Sequence, residues 1–242
     1  SAPLTYGADL YIEGELLVDL VIPSDISSIE WHAFNGCTSI KSITVHGGVT
    51  EIGNSAFNCP SVETLIVENA TGISWSDALS SARQSIKALH VKGGEIKYNA
   101  FWGFTSLVDN VILENGVTSI DADAFRACSN LTSITIPDSV TSIGEDAFHD
   151  CLNLISVTFG ENSQLSSISD DAFYGCHKLI EVIDHSSLGI IAGSESHGYV
   201  GYYAKEVHNQ KSKIVNSNGY LFYTVAGTNY LLGYVGNDTS LV

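Results

Sequence analysis

The chain has 242 residues, 44% of them hydrophobic, which is enough for a sizeable core. Asp and Glu number 27 against 10 Lys and Arg, a formal charge of −17. Such a surface repels phosphate backbones and anionic lipid, which argues against nucleic acid and membrane surfaces as partners; nor does any apolar run reach the ~20 residues a spanning helix needs.

Residues 1–23 read as a lead-in. Leu10-Tyr11-Ile12, Glu13-Gly14 and Glu15 to Val18 spell a hairpin with a glycine at its turn. It is placed to cover the N-terminal edge of the strands after it, since exposed strand edges invite pairing. With no methionine and no basic-then-apolar leader, the chain is expected to be an excised piece of a longer protein.

A unit then repeats. Its fullest copy is Leu131 to Cys151, LTSITIPDSVTSIGEDAFHDC. Leu131, Ile134 and Ile136 have the spacing of a strand that enters a core and then alternates. Pro137-Asp138 ends the strand. Gly144-Glu145-Asp146 before Ala147-Phe148 reads as a short helical turn with acids at its N-terminus. The Ala-Phe pair recurs at Phe34, Phe57, Phe101, Phe125, Phe148 and Phe173, and Ala78-Leu79 marks a degenerate copy inside the one doubled interval. About seven coils of 22–25 residues result. No coil hides its own apolar face, so each must stack on its neighbours.

Cys37, Cys128, Cys151 and Cys176 lie three residues after a repeat phenylalanine and Cys59 two after Phe57, so all five read as small core hydrophobes. Neighbouring coils leave an incidental disulfide open, and zinc would lack its paired C-x-x-C spacing. The side chains between the inward strand pairs form an outward row, Thr44, Ile66, His90, Ile112, Thr135 and Thr158. It fits a tolerated β surface of branched residues or a ligand-facing strip, which solenoids commonly use. Trp75, in the degenerate unit, and Trp102 beside it fit a contact patch or a packing repair.

Near Asp184 the composition shifts. His185 to His197 reads as a linker and Tyr199 to Val207 as a short helix. Lys213 to Val215, Tyr220 to Val225 and Tyr230 to Tyr234 read as a small antiparallel meander with turns at Asn218-Gly219 and Ala226-Gly227. Its tyrosines, Tyr223 among them, and the preceding Tyr202 suit either the core of a small sheet or stacking on sugar rings. Asp238 to Val242 looks like the start of another repeat. The expected divisions are 1–16 as an N-terminal cap, 17–184 as the solenoid, and 185–242 as linker plus meander.

The pattern L-x-x-I-x-I-P-x-x-V-x-x-I-G-x-x-A-F-x-x-C resembles the BspA-like leucine-rich repeats. It stands almost whole in Leu131 to Cys151 and more weakly over residues 17–184. The resemblance implies an α/β, right-handed leucine-rich-repeat solenoid, secreted or displayed on a bacterial cell surface, with adhesion or protein binding as its role and no catalytic residues to carry over. The unit around Trp75 and the shortened spacing at Cys59 depart from the pattern.

No enzyme signature emerges from the residues. The eight histidines lack any metal-ligand spacing, and P-loop, G-x-S-x-G and dinucleotide motifs are absent. His149-Asp150-Cys151 has attractive residue types, but Cys151 is a core position. Asp121, Asp123, Glu145, Asp146, Asp170 and Asp171 recur before successive phenylalanines and fit helix-dipole complements or a calcium ladder. The expectation is therefore a non-enzymatic binding or adhesion module with no cofactor and no metal. Its partner would be a host or bacterial surface protein. A glycan held by exposed Trp or Tyr, or a spacer without a ligand, are the alternatives.

Overall fold

The computed structural model describes residues 9–210, 214–225 and 228–234. The expected turn at Ala226-Gly227, the strand start at Lys213 and the repeat start at Asp238 to Val242 lie outside them. The chain divides into two compact units, one ending at His208 and one beginning at Asn209.

The first unit is a stack of parallel strands. Asp19–Val21, Ser42–Val45, Thr64–Val67, Ala88–Ile96 and Val111–Ile120 (rungs 1 to 5) pair in sequence order. Ser133–Ile136, Ser156–Phe159, Glu181–Ile183 and Glu206–His208 (rungs 6 to 9) form a second parallel ladder. A branched residue at every second position suits a pleated strand with one buried face, and Ile43, Val45, Leu65, Val67, Val157 and Phe159 are fully buried while their neighbours face out. The ladder is interrupted between rungs 5 and 6 for a reason visible in the spacing. The repeat leucine precedes the first inward strand residue by three in Leu131/Ile134 and Leu154/Val157, but by four in Leu107/Val111. The extra residue displaces that strand from its neighbour.

The other side of each regular coil is made of turns, not helix, so the solenoid is mostly β. The acids expected to complement helix dipoles have a different reason to be there. His32, Ser55, Asn99, Asp123, Asp146 and Asp171 hold the same place, one before each Ala, with φ between 55° and 58°. Asp and Asn are the side chains that tolerate this left-handed conformation best after glycine. Each regular turn also hangs on the next coil, as in Phe125 N–H to the Ala147 carbonyl (2.7 Å) and Phe148 N–H to that of Ala172 (2.7 Å).

That register explains the degenerate unit. Ser55 N–H reaches the Asp77 carbonyl and Phe57 N–H that of Ala78, so no residue stands between Asp77 and Ala78 where other coils place the left-handed one. Without it the chain stays right-handed through the helix Trp75–Leu79 (α1); positive φ is delayed to Ser80, at 42°, where the 3-10 turn Ser80–Gln84 begins. Trp75 has no solvent exposure and stacks on Phe101, with centroids 6.5 Å apart. It fills the space left by the missing phenylalanine.

The phenylalanines form an inner column. Phe101, Phe125, Phe148 and Phe173 succeed one another at 5.3, 5.3 and 4.9 Å. The stack then runs past Asp184 through one further coil. Phe173 N–H donates to the Gly198 carbonyl, which puts Gly198 in the alanine position. Val200 is buried there and Tyr199 faces outward. The segment expected as linker and helix is thus turns leading into rung 9.

All five cysteines are free and buried. Cys59, Cys128, Cys151 and Cys176 each donate from Sγ to the carbonyl of the phenylalanine one coil back, at 3.2–3.3 Å. Burial pushes the Cys59 and Cys128 thiols up to about 12, and it also raises Cys151 and Cys176. In an unfolded chain these thiols ionise near the ordinary value of 9.0. Protons therefore leave the unfolded state first as pH rises, and the contribution to stability is whole below about pH 9. Between 9 and about 12 it is lost progressively as Cys59 and Cys128 ionise in the unfolded chain but not in the folded one. The thermal midpoint is expected to drop steeply above pH 9 and less steeply in Cys128→Ala. At pH 8 a thiol-disulfide reagent should label the chain only after denaturation; rapid labelling of the native chain would show the column to be open.

Tyr11–Ile12 and Glu15–Leu16 form the expected hairpin, with positive φ at Glu13 and Gly14 as a tight two-residue turn requires. In the second unit, Ile214–Ser217, Tyr220–Val225 and Thr228–Tyr234 form the antiparallel meander. Asn218-Gly219 turns in the same way.

Candidate functional site

Three surfaces of the first unit concentrate side chains not consumed by packing. The first is the outward face of rungs 1 to 5. Register places Thr44, Ile66, His90 and Ile112 in one row across adjacent strands. Ile112 is the most exposed, at 54%. Two positions along the strands runs a charged row, in which Lys92 meets Glu68 at 3.5 Å and Glu114 meets His90. Thr135 and Thr158 align with each other on the second ladder. The expected strip of six is therefore two rows, of four and two, separated by the extra residue before Val111.

The second surface is aromatic and lies on the turns of the last coils. Tyr174, Tyr199, Tyr202 and Tyr203 succeed one another at 4.9–5.4 Å, each ring nearly perpendicular to the next. Tyr202 is thus held edge-on within a cluster and offers no coplanar platform to a sugar. Tyr223 is buried, and Trp75 lies in the core, so neither belongs to a surface patch.

The third is a cleft at the degenerate coil, with a cavity volume of about 590 Å3. The residue after each repeat phenylalanine lies beside its counterparts in adjacent coils; Asn35, which is buried, and Asn58 are joined by a 3.0 Å hydrogen bond, while Trp102 and Tyr174 are exposed. In the degenerate coil this position is Ser80, too small to fill the gap before Trp102. Trp102 forms one wall, and the Arg83 guanidinium lies over its ring, Cζ 4.8 Å from the centroid. Asn54, Asp77 and Gln84 line the remainder. Ser55 and Ser80 join their hydroxyls at 2.7 Å. Sequence reasoning singles out Trp102 but misses Arg83, Asp77 and Ser80. The signal available is the pair of short intervals, 22 residues on either side of Leu79, which betrays an omitted residue.

The recurring acids do not converge. Asp123 and Asp146 are bridged by Arg126 at 2.9 and 2.8 Å, which places a cation inside the stripe that a calcium ladder would need. Among the described residues no group of three His, Cys, Asp or Glu is arranged to hold a metal. Beside His149 and Asp150, the Cys151 thiol is turned into the core toward the Phe125 carbonyl. Among the described residues no helix is long and apolar enough to cross a membrane.

The profile of the BspA type leucine rich repeat region matches residues 9–88 and 94–195 in six copies. Similar solved structures include a leucine-rich repeat protein from Bacteroides ovatus, 23% identical over 69% of this chain and 37% of that one, TM-score 0.46. Others are a leucine-rich repeat protein of T. pallidum (21% identical, 79% of this chain and 72% of that one, 0.38) and a leucine rich cell surface protein from Faecalibacterium prausnitzii (22%, 81% and 60%, 0.33). Among curated proteins none matches.

Proposed function

The chain belongs to the BspA-type leucine-rich repeat family, and from that premise we propose that it is a non-enzymatic binding module of a secreted or surface-displayed protein, holding a protein partner against the outward face of rungs 1 to 5 in an adhesive role. The observation that carries this is the row Thr44, Ile66, His90 and Ile112. It is uncharged at its centre, locked in register by parallel pairing, and lies on a chain of charge −17. With strands ~4.8 Å apart, five rungs offer a rigid face ~19 Å wide, which suits one half of a standard protein interface. The Lys92–Glu68 ion pair and Glu114, which His90 meets through its ring nitrogen, border that row on one side as a polar rim borders a drier centre.

Ile112→Asp and, on the second ladder, Thr135→Arg place charge on exposed positions without touching the core. Partners are found first, by exposing the chain to immobilised host extracellular-matrix and bacterial surface proteins. Ile112→Asp is expected to weaken the captured partner at least tenfold at unchanged thermal stability, and Thr135→Arg less. A partner indifferent to Ile112→Asp would remove the sheet face as the site, and the absence of any saturable partner would favour the spacer.

A further inference from the structure

We propose that the cleft beside Trp102 is a separate binding site, for an acidic sugar carrying a single carboxylate, with Arg83 as the carboxylate's ligand. It lies on the turn side of the coil and does not depend on the sheet face.

The cleft exists because one residue is missing and one is small. Omission of the left-handed residue turns Trp75–Leu79 into helix and brings Ser80 to the position that a bulky or amide side chain holds in neighbouring coils. The void that results is bounded by Trp102. It is an open cleft of about 590 Å3, wide enough to admit a small ligand against the Trp102 wall.

Arg83 gives the cleft its chemistry. It is one of only 10 basic residues against 27 acids, yet among the described residues it enters no ion pair and instead lies against the Trp102 ring. With Cζ 4.8 Å from the Trp102 centroid the guanidinium is within cation–π reach of the indole, and a guanidinium carries five N–H donors in one planar fork. That fork matches a carboxylate in two parallel hydrogen bonds. The other polar lining is neutral or acidic: Asn54 and Gln84 can give and accept hydrogen bonds and Asp77 accepts, while the Ser80 hydroxyl is already donated to the Asp77 carbonyl at 3.0 Å. A ligand that answers them all carries one carboxylate and several hydroxyls. Asp77 in the cleft and the chain's charge of −17 oppose a polyanion, so sulfated chains and nucleotides fit poorly. A uronic or sialic acid residue meets these demands, and a neutral hexose leaves Arg83 unanswered.

The test is NMR titration of the full chain, following the Trp102 indole N–H, assigned with Trp102→Phe. The probes are methyl β-glucuronide, the methyl α-glycoside of N-acetylneuraminic acid, and methyl β-glucoside as the neutral control. A saturable shift of Trp102 is expected with at least one acid, the two arms separating uronic from sialic acid. The neutral sugar should bind at least about tenfold more weakly, as befits loss of a charge-assisted pair. Arg83→Gln should abolish the preference for acid, and Ser80→Tyr should block both by filling the gap. Thermal midpoints confirm that each variant is folded. Equal binding of acid and neutral sugars, acid binding that survives Arg83→Gln, or no saturable shift with either acid would overturn the proposal. None of these results bears on partner capture by Ile112, so the two readings fail separately.

Discussion

Phe148→Ala is expected to cost the solenoid about 4 kcal/mol, near the upper end of what truncating a buried aromatic removes. Phe148 has no solvent exposure. Its ring lies between Phe125 at 5.3 Å and 3° and Phe173 at 4.9 Å and 10°. Removing it leaves a void lined by two rings that cannot close on each other, because the backbone of each coil is hung on the next: Phe125 N–H on the Ala147 carbonyl and Phe148 N–H on that of Ala172. The cost therefore contains both transfer and cavity contributions. In a stacked array, stability is roughly the sum of coil and nearest-neighbour contributions, so weakening both interfaces of one coil should also split unfolding into two transitions. Phe34 is the natural comparison. It is only partly buried and, among the described residues, stacks on Phe57 alone, at 5.6 Å, so Phe34→Ala should cost about half as much. Urea unfolding followed by circular dichroism measures both. Equal losses for the two positions, or a loss below about 1 kcal/mol at Phe148, would show that the rings do not act as a continuous column.

What the sequence made legible was whatever depends on period. Ala147-Phe148 and Ile134/Ile136 recur because each coil solves the same burial problem, and a repeating solution is visible without coordinates. What it hid depends on backbone sign or on missing atoms. Asp123, Asp146 and Asp171 look like dipole complements because acids before an apolar pair are also what a helix start uses; only φ reveals the left-handed turn. Trp75 reads either as a contact patch or as a packing repair because its coil lacks phenylalanine, and only its burial against Phe101 selects the repair. The last coil escapes notice because Gly198-Tyr199-Val200 exchanges the usual order, with valine inward and tyrosine out. The strip over Thr44 to Thr158 reads as one row because the extra residue before Val111 changes a spacing by one and no residue type at all. The cleft was least legible, since it arises from the small size of Ser80, and Arg83 belongs to no motif.

Gly144→Ala is the second large loss expected, about 3 kcal/mol for the addition of one methyl group. A Cβ at Gly144 would sit 2.4 Å from the Ala122 nitrogen and 2.6 Å from the Asp121 carbonyl carbon. Both are backbone atoms of the preceding coil, so no side chain can rotate aside. The two strands of chain are also pinned. Gly144 N–H donates to the Ile120 carbonyl at 2.7 Å, Asp121 N–H to that of Ile96 at 2.8 Å, and Asp123 N–H to that of Glu145 at 2.9 Å. Relief requires breaking one of these bonds or parting the coils, which would also loosen the ring stack beneath them. Gly53 occupies the same repeat position and its Cβ would meet the Trp31 backbone nitrogen at 2.5 Å. Among the regular coils, length separates the positions that hold glycine from those that hold a side chain; the degenerate coil, whose Ile96 is followed by Lys97, stands outside this comparison. Ile29 to Ile52 and Ile120 to Ile143 are 23-residue intervals and end in Gly53 and Gly144; Ile96 to Ile120 and Ile143 to Ile168 are 24 and 25 and end in Asp121 and Ser169. The longer coils leave room for a side chain. The control is Gly72→Asn, at φ 80° with open space where its Cβ would lie, a conformation that asparagine tolerates. Thermal unfolding should separate the two variants clearly, with Gly144→Ala far below the parent and Gly72→Asn near it. A Gly144→Ala chain as stable as the parent would mean that neighbouring coils are not in backbone contact at this turn, and the tight stacking on which both the ring column and the sheet register depend would have to be abandoned.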